Sequence, residues 1–176
     1  MVCSTELRAY PEAVSSGDDA FHELVSGLDY PMFIVTVAAG SERSGCLVGF
    51  VTQASIRPPR LMVMLSKANH TYRVAQRAAC LGVHFLHAEN QALATLFGEQ
   101  TGDNVDKFSS CDWSAGPGQV PLLAGTRGWV IGTILARHDA GDHVAHLVDV
   151  AQASTSVPGP QLAFQTVTEM RPGHLS

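Results

Sequence analysis

Lysine is almost missing from this chain. Lys67 and Lys107 are the only two, and charged residues make up just 15% of the 176. The formal net charge is -5, which argues against the basic face that a nucleic-acid binder turns toward phosphates. Cysteine is sparse too. Cys3, Cys46, Cys80 and Cys111 are widely spaced and form no CxxC pair. They read as free thiols of a reducing compartment rather than a disulfide framework. No basic-headed apolar leader opens the chain. No apolar run approaches the roughly 18 residues of a membrane span. The expectation is a cytoplasmic protein with no nucleic-acid or membrane partner.

Several chemical signatures are missing as well. There is no GxGxxG and no GxxxxGK[ST], so neither a dinucleotide fold nor a P-loop is supported. No GxSxG elbow is present, although Asp142-His143 and several serines leave a triad open, because triads are recognised by geometry. His84 and His87 are three apart, as are His143 and His146. In β-patterned sequence an odd separation sends the two to opposite faces. No Cys pair or HExxH accompanies them, so no metal site is expected.

What is present is a globular pattern. Hydrophobic residues make up 45% of the chain, enough for one domain with a substantial core. Residues 1–17 lack apolar periodicity and read as a loosely packed arm. The domain is expected over 18–168 and a tail over 169–176. Ser16-Gly17-Asp18 can cap a short helix carrying Phe21, Leu24, Val25 and Leu28 at helical spacing.

Strands are predicted over 32–37, 46–55, 61–65, 81–86, 129–135 and 144–151, with a last edge strand over 161–167. Helices are predicted over 71–79 and 90–97. Residues 38–45 suggest a hairpin turn, and Pro58-Pro59 mark a connection because they cannot lie inside a central strand. Residues 98–121 read as a long surface excursion. The sum is a mainly β, α+β domain: an antiparallel barrel with a few helices outside it.

The richest stretch is 48–72. Its first run supplies backbone and small polar groups. Its second ends in Ser66-Lys67-Ala68-Asn69-His70-Thr71, at the predicted start of a helix. A helix N-terminus carries unpaired N–H groups and suits a phosphate. A plainer reading has Asn69 or Thr71 capping the helix with Lys67 in solvent. Further on, Ala140-Gly141-Asp142 is a good tight turn, and His143 can simply open the next strand.

Local patterns in this order resemble the flavin reductase-like family of FMN-binding split barrels. They are Tyr30-Pro31 with Val35-Thr36-Val37, Ser55-Ile56-Arg57-Pro58-Pro59, Asn69-His70-Thr71-Tyr72, Phe97-Gly98 with Asp106-Lys107-Phe108, and Gly141-Asp142-His143. The resemblance covers roughly residues 30–152. It implies a homodimeric split barrel that binds FMN, or FAD, near the subunit interface. It also implies NADH or NADPH as hydride donor and a flavin-dependent monooxygenase as possible partner.

Carried over by position, Gly49, Phe50, Val51, Thr52, Gln53 and Ser55 would line the isoalloxazine ring. Ser66, Lys67, Asn69, His70 and Thr71 would surround the phosphate. His143 would lie on the nicotinamide side as the catalytic residue. Such hydride transfer needs orientation and electrostatics, not a nucleophile.

The chain departs from the family where Leu47-Val48-Gly49-Phe50 stands in place of a common Thr-Ala-Ser-Ser run, and where Gln53 replaces a common serine. The glycine and acidic pair usual after Gly-Asp-His appears as Val148-Asp149, and the usual glycine-tyrosine ending is missing. Two rival functions share the same cradle: a flavoprotein that retains FMN and acts on another small molecule, and a non-catalytic flavin-binding protein.

Overall fold

The computed structural model describes residues 17–156 and 158–173. The arm expected over 1–17 therefore falls outside the described residues except for Gly17, and Cys3 and the last three residues of the tail fall outside with it.

Helix α1 spans Gly17–Ser26. Strands β1 (Phe33–Ala39) and β2 (Glu42–Val48) form a hairpin whose turn uses Gly40 at φ 63, the left-handed region that glycine enters without strain. Then come β3 (Val51–Ser55), β4 (Arg60–Ser66), α2 (His70–Ala75), β5 (Cys80–Phe85) and α3 (Gln91–Glu99). Two short strands, β6 (Trp113–Ala115) and β7 (Pro121–Leu123), precede the long pair β8 (Gly128–Asp139) and β9 (His143–Thr155).

The main sheet has seven strands in the order β2-β1-β5-β8-β9-β4-β3. Every pairing is antiparallel. Strands β2 and β3 stand at opposite ends of this order, yet only Gly49 and Phe50 separate them in the chain. The three Cα steps from Val48 to Val51 span at most about 11 Å, so the sheet must curl until its edges come close together. The result is an open, split barrel.

Two apolar clusters hold it. Phe33, Val35, Val37, Val63, Leu65, Leu81, Val83 and Val148 fill the inside, and Val74 and Ala75 of α2 join them. Met32, Ile34, Leu86, Ala94, Phe97, Phe108 and Leu162 pack on the outer face. Strand β1 is thus buried on both sides, which is why its run is apolar without alternation. Helix α3 lies close to β2 because Gly45 has no side chain: a Cβ there would come within 2.8 Å of the Phe97 ring.

Four expectations are corrected. The single strand predicted over 46–55 is two strands, broken at Gly49-Phe50 where the chain crosses from one sheet edge to the other. The helix predicted over 71–79 stops after Ala75, and Arg137 donates from β8 to the carbonyls of Ala75 and Ala78 at 2.9 and 2.8 Å. The segment 98–121 is not only surface, for Lys107, Phe108 and Val120 are buried. The edge strand predicted over 161–167 is reduced to two isolated bridges, Pro31↔Ala163 and His87↔Gln161, and a short 3-10 turn. Among the described residues, no helix is long and apolar enough to cross a membrane.

Candidate functional site

The site grows from the β4–β9 pairing, whose register sets Ser66 opposite His143. Two turns meet at the end of these strands. The Lys67 N–H donates to Asp142 O at 2.9 Å. Lys67 Nζ donates to Asp139 Oδ2 at 2.7 Å, and the Gly141 N–H to Asp139 Oδ1 at 3.0 Å. Gly141 takes φ 99, so the tight turn read from Ala140-Gly141-Asp142 has its physical cause in glycine. The turn in front of His143 is therefore clamped to the turn after β4.

His143 Nδ1 lies 2.8 Å from Asp142 Oδ1. A carboxylate can only accept, so Nδ1 carries the proton and donates. That hydrogen bond holds the Asp142 carboxyl below its usual range.

A cleft of about 510 Å³ opens beside His143, within the size range of small-molecule sites. Gly49, Phe50, Ser66, Asn69 and His143 line it, with Met32, Met64 and Phe97 among its apolar walls. A file of rings runs along it. Phe164 stacks on Tyr30 at 4.6 Å and 17°, Tyr30 meets Phe50 at 6.1 Å and 47°, and Phe50 meets His143 at 5.4 Å and 58°. Gly49 makes this possible, because a Cβ there would lie 2.5 Å from the Tyr30 ring.

The remaining sequence candidates fall elsewhere. Val51, Thr52, Gln53 and Ser55 line a second cleft of about 620 Å³ on the other side of Tyr30, with Arg60 and Phe85. Thr71 is fully buried, its hydroxyl 2.9 Å from Ser44 Oγ. The N-terminus of α2 is closed by its own cap, since Asn69 Oδ1 accepts from the Thr71 N–H at 3.0 Å. Asn69 is thus the N-cap of α2. Lys67 is not free in solvent but paired with Asp139.

His70 sits in a third cleft. Its Nδ1 lies 3.3 Å from Ser44 Oγ and its Nε2 3.1 Å from Glu42 Oε1. That is the order of a hydrolytic triad, built from residues other than Asp142-His143. It is not a usable one, because Ser44 is 3% exposed and Gly102 lies across it. A Cβ on Gly102 would come 2.3 Å from His70 Nδ1 and 3.3 Å from Ser44 Oγ. The arrangement ties β2, α2 and the 101–106 loop together.

The other paired histidines are structural. His84 Nδ1 donates to Ile34 O at 3.1 Å, and Nε2 accepts from the Leu123 N–H at 3.1 Å. Burial pushes its pKa down to about 4. His146 is buried in the sheet, with Nδ1 donating to Val144 O at 3.0 Å. Among the described residues, no group of three or more His, Cys, Asp or Glu could hold a metal ion.

Sequence reasoning missed Phe164 and the methionine walls. Phe164 reaches the cleft only because its N–H donates to Tyr30 O at 2.8 Å and Met32 donates to Leu162 O at 2.8 Å. These are long-range contacts with no local pattern.

The donor set fits a flat heterocycle. Aromatic and thioether groups offer its faces apolar contact, while a hydroxyl, an amide and an imidazole offer its edge polar partners. The seven-stranded antiparallel sheet, curled but not closed, defines the class: a split barrel. The flavin reductase like domain model matches residues 25–168, and the chain belongs to that family.

Individual relatives agree. The chain is 26% identical over 145 residues to the 4-hydroxyphenylacetate 3-monooxygenase reductase component of Escherichia coli, covering 82% of this chain and 85% of that one. It superposes on a flavin reductase domain protein from Arthrobacter sp. FB24 with TM-score 0.77 and 25% identity, covering 84% of this chain and 90% of the other. The Streptomyces globisporus C-1027 NADH:FAD oxidoreductase SgcE6 gives TM-score 0.74 and 26% identity over 84% and 88% of the two chains. The chain spans 65%, 51% and 39% of the lengths of three further curated relatives.

Proposed function

We propose that this protein is an NAD(P)H-dependent flavin reductase, using FMN or FAD. The observation that carries the reading is the cleft in which the file of rings ends at His143, directly across the β4–β9 register from Ser66. The chemistry bound flavin would supply is acceptance of a hydride at N5 from nicotinamide C4.

The chain's own tasks are binding and orientation. Ser66 and Asn69 offer polar contacts to the ring's edge or its side chain, and Lys67 adds a cation at the rim. Val51, Thr52, Gln53 and Ser55 serve from the neighbouring cleft, and His70 and Thr71 hold the turn behind the site. His143, held by Asp142, orients the nicotinamide donor.

The reductase-component name of the E. coli relative supports a role supplying reduced flavin to a separate monooxygenase. We place the protein in the cytoplasm, with the functional domain over 18–168. A homodimer is supported by exposed apolar side chains, Phe21 and Leu24 on α1, Leu28 after it and Ile56 after β3, which a second copy would cover.

The test is a visible spectrum of the purified protein, followed by NADH or NADPH addition with and without FMN and FAD. Flavin-dependent NAD(P)H oxidation is expected. Its absence with every donor and flavin pair would leave the non-catalytic flavin binder as the reading.

A further inference from the structure

We propose that the Phe50 side chain is a stacking platform for the flavin ring that slows flavin release. This rests on the flavin reading above and adds to it a residue that sets how long the flavin stays.

The backbone of Phe50 is fixed. Its carbonyl accepts from the Met64 N–H at 3.0 Å, and the next residue, Val51, donates back to Gly49 O at 2.9 Å. The side chain is therefore held at the lip of the cleft. It remains 50% exposed beside the cleft's apolar walls. A half-exposed aromatic ring at the lip of a concave site offers stacking area to a flat ligand.

Tyr30 and His143 meet Phe50 at 47° and 58°. These are tilted rather than stacked contacts, and they leave half of the side chain in solvent. Tyr30 is different: it already stacks on Phe164 at 17°, and the Gly49 backbone lies against it. Of these four rings, Phe50 is the most exposed.

An aromatic side chain loses little conformational freedom on binding, and stacking on a flat base contributes about 1–3 kcal/mol. That corresponds to about a fivefold to 150-fold change in dissociation rate when the association rate is unchanged. A serine at this position would offer a hydroxyl and no face.

The experiment uses the full chain and FMN as probe. Equilibrium affinity is read by flavin fluorescence and the dissociation rate by stopped-flow displacement. Phe50→Ser, Phe50→Leu and Phe50→Trp are compared with wild type, with thermal unfolding to verify folding. Phe50→Ser and Phe50→Leu are expected to release FMN about five times faster or more. Phe50→Trp should hold it as wild type does.

A Phe50→Leu rate equal to wild type would overturn stacking in favour of plain apolar contact. A folded Phe50→Ser protein with the wild-type rate would overturn the proposal while leaving the flavin reading intact. Wild-type protein that binds no FMN and no FAD would instead overturn the flavin reading and this proposal with it.

Discussion

The imidazole of His143 and the ring of Phe50 lie 5.4 Å apart, tilted by 58°, at the meeting of two clamped turns. One ring comes from the break between β2 and β3, the other from the first residue of β9. Neither strand break nor turn alone makes the site. It exists because β3 pairs with β4 and β4 with β9, with the Met64 N–H donating to Phe50 O at 3.0 Å.

His143→Asn is expected to keep the fold and the flavin affinity while impairing the donor step. Asparagine keeps a polar side chain next to Asp142 but lacks the imidazole that meets Phe50. Stopped-flow reduction of bound flavin at varied NADH should show a raised apparent KM or a slower limiting rate. Wild-type kinetics in the variant would return His143 to the status of a turn residue.

Gly49→Ala is expected to loosen the file of rings. The added methyl would meet the Tyr30 ring at 2.5 Å, so Tyr30 must move off Phe164 or the strand break must shift. Overpacking of this kind costs about 1–3 kcal/mol. Chemical denaturation should report that loss, together with weaker FMN binding. A variant as stable as wild type would mean that Tyr30 moves at no cost.

Much of this was readable from residues. The strand runs at 32–37, 61–65 and 81–86 announce themselves through β-branched and apolar composition, and Pro58-Pro59 fall where an edge strand turns back. The Gly141 turn and its histidine were legible for the same local reason. What escaped was long-range. No local pattern says that Gly49-Phe50 must bridge two sheet edges, because the surrounding residues are all good strand formers. Nor does sequence spacing show that Tyr30 separates Thr52, Gln53 and Ser55 from Ser66 and Asn69, dividing one expected cradle into two clefts.

Lys67 and Thr71, adjacent in one motif, should respond differently to substitution. Lys67 is partly exposed and paired with Asp139 at the site's rim. Lys67→Ala should weaken FMN more than riboflavin, because only FMN carries a phosphate for the cation to attract. Thr71 is buried and bonded to Ser44. Thr71→Ala removes that bond, leaving Ser44 Oγ with His70 Nδ1 at 3.3 Å, and should cost about 1 kcal/mol of stability, with any binding loss equal for the two ligands. Parallel titrations with FMN and riboflavin, alongside denaturation curves, separate the two roles. An equal loss of both ligands in Lys67→Ala would remove it from the phosphate side.

Acid sensitivity should trace to His84. Its ring joins β1 to β7, donating to Ile34 O and accepting from the Leu123 N–H. Protonation would turn the accepting nitrogen into a donor facing another donor, inside a fully buried site. The folded-state pKa falls from 6.5 to about 4, chiefly through burial. The sign follows directly: below pH ~6.5 the unfolded chain binds a proton that the native chain refuses. The neutral ring's stability is fully present above that pH and is lost as pH falls toward about 4. A difference of roughly 2.5 units amounts to about 3 kcal/mol. Unfolding free energies measured from pH 7.5 to pH 4 should decline accordingly. His84→Gln can still donate and accept but does not titrate, so its curve should be flatter across this window even if it starts lower. Parallel curves for the two proteins would show that the acid sensitivity arises elsewhere.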